Sequence, residues 1–176
     1  ACIITKSPAF LFFSANKTLS IAQKLYEAKF TTYPRTGSRY ISEDIFEEIP
    51  ALIKDLHSHA DFGTYANSLG KLNNQCVNDS KITDHHAIII TENRAKGLEK
   101  DEQTIYDMIA GRMLEAFSPN CIKEVTEVVF GGGETELKVK GTVIKEKGWR
   151  AVLNSKEKDE ALLPKLSEGE TVPISK

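Results

Sequence analysis

Hydrophobic positions recur at helical spacing through the first two-thirds of the chain and at period two thereafter. In Ser14–Lys29, SANKTLSIAQKLYEAK, the side chains Leu19, Ala22, Leu25 and Tyr26 share a face and Ile21 flanks it. That spacing predicts a helix, capped by Ser14 or Asn16. A second helix is predicted from Ser42 through SEDIFEEIPALIKDL. Glu43 and Asp44 suit its positive N-terminal end, and Ile45, Ile49, Leu52 and Leu56 form its buried stripe. Pro50 lacks an N–H and is expected to kink or split this helix. His57–Asn78 is polar with scattered apolar residues and reads as short helix and loop. Lys81–Thr91, KITDHHAIIIT, is short and rich in β-formers. Glu99–Phe117 is the clearest helix: Ile105, Met108, Ile109, Met113 and Phe117 lie on one face, and Pro119 closes it.

Beyond Pro119 the period changes. CIKEVTEVVF, the glycines Gly131–Gly133 and ETELKVKGTVIKEKGW alternate as a β-hairpin does. LSEGETVPI, Leu166–Ile174, reads as a further strand entered through a turn, and Trp149 as an aromatic packed on the sheet. The expected fold is α+β: a mainly helical domain over residues 1–118, then a β-rich segment over residues 119–176.

Composition narrows the class. Hydrophobic residues are 40% and charged residues 27% of the 176, the balance of a soluble globular chain and not of a disordered one. The net charge of -2 does not announce a nucleic-acid binder, but its distribution is uneven. Residues 1–40 carry six basic side chains and one acidic, a local +5, and the remainder carries 17 basic against 24 acidic, or -7. A basic end on a weakly acidic chain fits a polyanionic partner for that end alone, with a fluctuation of composition as the ordinary alternative. Cys2, Cys76 and Cys121 are widely spaced without a CxxC pair. They argue against a structural zinc or a disulfide framework and for a reducing, cytoplasmic setting. The run AFLFF, Ala9–Phe13, is too short for a signal core or a membrane span, so no membrane partner is expected. The first residue is not Met, which reads as a start inside a longer parent protein.

The densest chemistry lies in KFTTYPRTGSRY, Lys29–Tyr40. Pro34 drives Tyr33 toward an extended conformation, where residues i and i+2 project from one face. Tyr33 and Arg35 are therefore expected side by side, with Arg39 as a second cation and Gly37 permitting a sharp turn. A phenol is mostly protonated at neutral pH; neighbouring cations favour phenolate and stabilise charge on phosphoryl oxygens. Such a pair suits a tyrosine nucleophile for phosphodiester transfer, with the arginine fork on the phosphate. On spacing alone, a basic surface turn with a packed tyrosine fits the same residues and is the more ordinary outcome.

The segment TYPRTGSRYIS closely resembles the active-site motif of type IA DNA topoisomerases, usually written YPRTDS. FSANKTLSIAQKLYEAKF resembles the helix that leads into it, and ITDHHAIIIT, about fifty residues on, resembles the family's second motif, His-x-Ala-Ile followed by a proline and a hydroxyl residue. The Gly-Trp at Trp149 is similar to the strand where the family's chain returns to its neighbouring β-rich domain. The form is most similar to the bacterial topoisomerase III branch. The resemblance covers residue 13 to the C-terminus. It implies transient single-strand cleavage through a 5′-phosphotyrosine, strand passage and religation, without ATP; a non-catalytic module that binds single-stranded DNA is the alternative. Tyr33 matches the nucleophile and Arg35 the arginine that positions the phosphate. His85 matches a histidine that contacts DNA near the scissile phosphate, with Lys29, Ser38 and Arg39 as further DNA contacts.

Two positions depart from the family's pattern: Gly37 stands where an Asp is usual and Ile90 where a Pro is usual. The family's acidic DxDxE metal motif is missing, so Mg²⁺ is expected only in a full-length parent, with ligands outside this chain. The partners implied are single-stranded DNA and that metal-binding domain, in a cytoplasmic, nucleoid-associated protein, and the chain alone is expected to be catalytically incomplete. Asp84, His85 and His86 make a poor metal set, because neighbouring strand residues point to opposite faces. Met108 and Met113 read as core, and KEKDEALLPK (residues 156–165) as a solvated charged loop.

Overall fold

The computed structural model describes residues 13–132, 134–153 and 162–172. Cys2, most of the AFLFF run and the first part of the charged loop lie outside the described residues. The fold is α+β. Its described residues form two compact units: 13–120 with 148–153, and 121–147 with 162–172.

The first unit is helical. In α1 (Ala15–Glu27) Ser14 is the cap, its Oγ accepting the Lys17 N–H at 3.2 Å. The helix buries Thr18, Ile21, Ala22 and Leu25, whereas Tyr26 is 40% exposed. The core face is thus rotated toward Ile21 from the stripe expected. α1 ends in a Schellman turn: the Phe30 N–H donates to Leu25 O (2.9 Å) and the Lys29 N–H to Tyr26 O (2.8 Å). Lys29 holds the left-handed position, φ 62°, that glycine usually takes there. Thr91 Oγ1 (2.5 Å) and Asn93 Nδ2 (3.2 Å) both donate to its carbonyl and pin the turn.

α2 (Glu43–Asp55) starts at Ser42, whose Oγ accepts the Ile45 N–H at 3.4 Å. It buries Ile49, Leu52 and Ile53, with Leu56 following in a 3-10 turn. Pro50 does not split it: the proline lies on the exposed side, and the helix runs through to Asp55. α3 (Gly63–Ser68) is short, and α4 (Lys100–Phe117) is the central element. The Glu102 carboxylate accepts the Glu99 N–H at 3.1 Å to start α4. Nine of its side chains or glycines are buried, including Tyr106, Ala110 and Leu114 beyond the expected stripe, because α4 is covered on more than one side. Met108 and Met113 are core.

Ala87–Ile90 are all 5% exposed or less. A half-buried strand would bury alternate residues; this segment is covered on both faces. It makes one isolated antiparallel bridge, Thr31 with Ile90, rather than a regular strand. Thr32 N–H donates to Ile89 O (3.0 Å), Thr91 N–H to Phe30 O (3.1 Å) and Ala87 N–H to Tyr40 O (2.8 Å). These bonds stitch both ends of the Tyr33 segment to the HHAII segment.

Trp149 is not on a sheet. It lies in a 3-10 turn, Gly148–Ala151, that belongs to the first unit. Gly148 has φ 49°, and a Cβ there would stand 2.4 Å from Asn120 O, so only glycine fits. Trp149 N–H donates to Pro119 O (2.9 Å) and Tyr65 Oη to Gly148 O (3.3 Å). The chain after residue 118 is therefore shared between the units.

In the second unit, β1 (Ile122–Gly132) pairs antiparallel with β2 (Thr135–Glu146), with Val128 opposite Val139 and Phe130 opposite Leu137. Lys140–Glu127 (2.8 Å) and Lys145–Glu124 (2.5 Å) bridge the strands. The strand expected at LSEGETVPI is absent from its described part, residues 166–172. A turn stands there: Glu170 N–H donates to Ser167 O, Glu170 Oε2 accepts from Ser167 N–H, and Gly169 takes φ 80°. These local bonds satisfy the backbone that a ladder would otherwise claim.

Candidate active-site groove around Tyr33

Tyr33 lies between Thr32, bonded to Ile89, and a buried Pro34. Its ring meets the His85 ring at 4.5 Å between centroids, tilted by 44°, and the Tyr26 ring edge-on at 5.3 Å and 76°. Among the described residues its hydroxyl has no hydrogen-bond partner. Tyr33, Tyr26, His85, His86 and Lys29 line one groove of about 410 Å³, with Glu48 and Glu92 as its carboxylates.

The link between the two motifs is a buried hydroxyl. Thr36 Oγ1 donates to His85 O at 2.8 Å and accepts the Ser38 N–H at 3.1 Å. The Ile89 N–H donates to Thr32 Oγ1 at 3.0 Å. Residues about fifty positions apart thus hold Tyr33 and His85 together from both sides. His86 stays in the same groove, with its Nδ1 at 2.7 Å from Ala87 O.

The remaining expected site residues, Arg35, Ser38 and Arg39, do not line the Tyr33 groove. The chain bends at Pro34–Arg35 instead of running as a strand, so the i, i+2 alternation does not hold. Arg35 is exposed and lines a separate groove along α1 with Leu19, Gln23 and Glu27. Arg39 lines a third cavity at the end of α4. The Ser38 hydroxyl is spent on backbone groups: it donates toward Tyr40 O (3.2 Å) and Lys81 O (3.4 Å) and accepts the Tyr40 N–H (3.1 Å).

Both departures from the motif are mild in structure. A Cβ at Gly37 meets nothing within 4 Å, so an aspartate would fit. In the Thr31–Ile90 bridge the bonds belong to Thr32, Ile89, Thr91 and Phe30, which leaves the Ile90 N–H outside the ladder, where a proline is tolerated. Sequence reasoning missed Thr36 and Tyr26. Thr36 carried no signal beyond its place in the motif, and Tyr26 looked like part of a helix stripe.

Among the described residues no three His, Cys, Asp or Glu side chains converge as a metal site. Nor is any described helix long and apolar enough to cross a membrane.

Residues 4–176 match the family model described as DNA topoisomerase, and the chain belongs to that family, in its type IA branch. It is 40% identical over 180 residues to DNA topoisomerase 3 of Bacillus licheniformis, covering 92% of this chain and 24% of the relative. Identity to DNA topoisomerase 3 of Bacillus subtilis is 38% over the same shares, and to that of Shouchella clausii 36%, over 90% of this chain and 23% of the relative. The chain thus spans about a quarter of the length of these relatives.

Proposed function

We propose that Tyr33 is the nucleophile of a type IA topoisomerase and that the helical unit bearing it, residues 13–120 with 148–153, belongs to its DNA-gate domain. The supporting observation is the tilted Tyr33–His85 ring contact at 4.5 Å, which joins the two motifs in one groove. Tyr33 Oη attacks the phosphorus of one phosphodiester in single-stranded DNA. The P–O3′ bond breaks, a 5′-phosphotyrosine ester forms, and the phenol proton ends, net, on the departing 3′ oxygen. The ester keeps the energy of the broken bond, so attack by the same 3′ hydroxyl reseals the strand after passage of another, without ATP. His85 and Lys29, lining the groove, supply its positive and hydrogen-bonding character toward phosphate. Arg35, on the α1 side, serves the strand leading to or from the groove.

In the full-length parent Mg²⁺ is held by a domain outside this chain. The working partner set is single-stranded DNA plus that domain, in a cytoplasmic, nucleoid-associated enzyme.

The test combines this chain with the metal-binding part of a DNA topoisomerase 3 relative, 3′-labelled single-stranded DNA and Mg²⁺. A covalent adduct is expected with the wild-type chain and none with Tyr33→Phe. Salt-sensitive binding without an adduct would instead identify a non-catalytic DNA-binding module. The chain alone is expected to relax no supercoils, and robust relaxation by the pure chain would refute its incompleteness.

A further inference from the structure

A second cavity, of about 390 Å³, lies where the end of α4 meets the chain that follows Tyr33, and the proposed chemistry leaves it unused. Ile89 lines both this cavity and the Tyr33 groove, so the two are neighbours within the first unit. Its floor is apolar: Ile88, Met113 and Phe117 are 4%, 3% and 1% exposed.

Its rim is polar and aromatic. Two guanidinium groups, Arg39 and Arg112, line it against one carboxylate, Glu115, which is bonded to Arg112 at 2.5 Å. The Asn73 amide is fixed, donating to Asn120 Oδ1 (3.1 Å) and accepting the Gln75 N–H (2.9 Å). Among the described residues no hydrogen bond engages the Gln75 side-chain amide. Trp149 is 37% exposed at the rim, anchored through its backbone N–H, with Arg150 over its ring at 5.3 Å.

An exposed indole, an apolar floor, an amide with donor and acceptor to offer and a guanidinium are the groups that hold an unpaired base and its phosphate. We infer that this cavity binds one unpaired nucleotide of single-stranded DNA, its base against Trp149 and the Gln75 amide and its phosphate on Arg39. The inference rests on reading the chain as one that acts on single-stranded DNA. Stacking on the Trp149 ring and bonding to the Gln75 amide both need a base that is out of its own stack and pairing, so the cavity would select the unpaired strand and hold it beside the groove where Tyr33 would cut.

Trp149 is the single tryptophan of the chain, so its emission reports on this cavity directly. The experiment titrates the chain with a fifteen-nucleotide oligo(dT) and follows Trp149 emission and, separately, the anisotropy of a labelled copy. Quenching is expected to saturate with the anisotropy midpoint and to be absent with a duplex of the same length and with heparin. Arg39→Gln should raise the quenching midpoint by about tenfold, the scale of one charged phosphate contact. Ala116→Phe, which fills the cavity from α4, should abolish quenching while its circular dichroism stays that of the wild type. If anisotropy reports binding and Trp149 emission does not move, the cavity assignment falls and the single-strand reading stands. Equal quenching by heparin also overturns it, since charge alone would then suffice. If anisotropy reports no binding, the single-strand reading of this chain fails and takes the cavity assignment with it.

Discussion

Thr36→Val asks whether one hydroxyl holds the site together. Thr36 is 8% exposed, donates to His85 O at 2.8 Å and accepts from Ser38 N–H at 3.1 Å. Valine keeps the shape and removes both bonds. A net hydrogen bond is worth about 1 kcal/mol, and a buried group left unmatched costs about 1–3 kcal/mol. His85 is exposed, so its carbonyl can turn to water, while the part-buried Ser38 N–H cannot do so as readily. The expected loss of stability is therefore about 1–2 kcal/mol. Thr36→Ser keeps the hydroxyl and loses a methyl, which costs about 1 kcal/mol. Stability alone does not separate the two variants, but the site should. With His85 untied, adduct formation at Tyr33 should slow by about tenfold in the valine variant, equivalent to about 1.4 kcal/mol in the barrier. In the serine variant it should remain near wild type. Urea unfolding followed by Trp149 emission gives the first quantity, and the time course of the covalent adduct gives the second. Equal adduct rates for the valine and serine variants would show that the Thr36 hydroxyl does not position His85.

Lys29→Gly should raise the melting temperature by relieving a left-handed lysine, worth about 1 kcal/mol before the added chain entropy of glycine is subtracted. Gly37→Asp should leave stability within about 0.5 kcal/mol, because nothing lies within 4 Å of the new Cβ, and should raise adduct yield if the family's carboxylate assists cleavage. Ile90→Pro should unfold at higher urea than Ile89→Pro, because the Ile89 N–H donates to Thr32 Oγ1 whereas the bridge makes no use of the Ile90 N–H. Burial lifts the Glu115 carboxyl above its ordinary value of 4.5, against the lowering effect of Arg112. A raised folded-state pKa contributes stability that is complete below the unfolded value and lost as pH rises through the folded one. Urea stability should therefore contain a component that falls as pH climbs above about 4.5, and Glu115→Gln should flatten it.

The helices were readable because their determinants are local. Ser14 and Ser42 cap where spacing placed them, and Ile49, Leu52 and Ile109 are buried as their periodicity requires. The hairpin followed from alternation about the glycines. Elsewhere a local rule met a tertiary partner. Pro50 was expected to kink or split a helix; the helix runs through it unsplit, with the proline on the exposed side. Gly-Trp at 148–149 looked like a strand entry, yet contact with Asn120 selects a left-handed glycine and a 3-10 turn. Arg35 was expected beside Tyr33 on strand alternation, and the bend at Pro34 sends it to another groove.

By itself the sequence determined where the long helices and the hairpin lie, since helical spacing, caps and strand alternation are set by residues close together in the chain. Only the tertiary structure decided that the His85 ring meets the Tyr33 ring, that Thr36 and Thr32 tie their segments together, and that Arg39 and Trp149 share a cavity. Those pairings span about fifty residues or more, and no local spacing rule encodes them. They arise because burying Ala87–Ile90 on both faces leaves backbone groups that must find partners, and the Tyr33 segment supplies them.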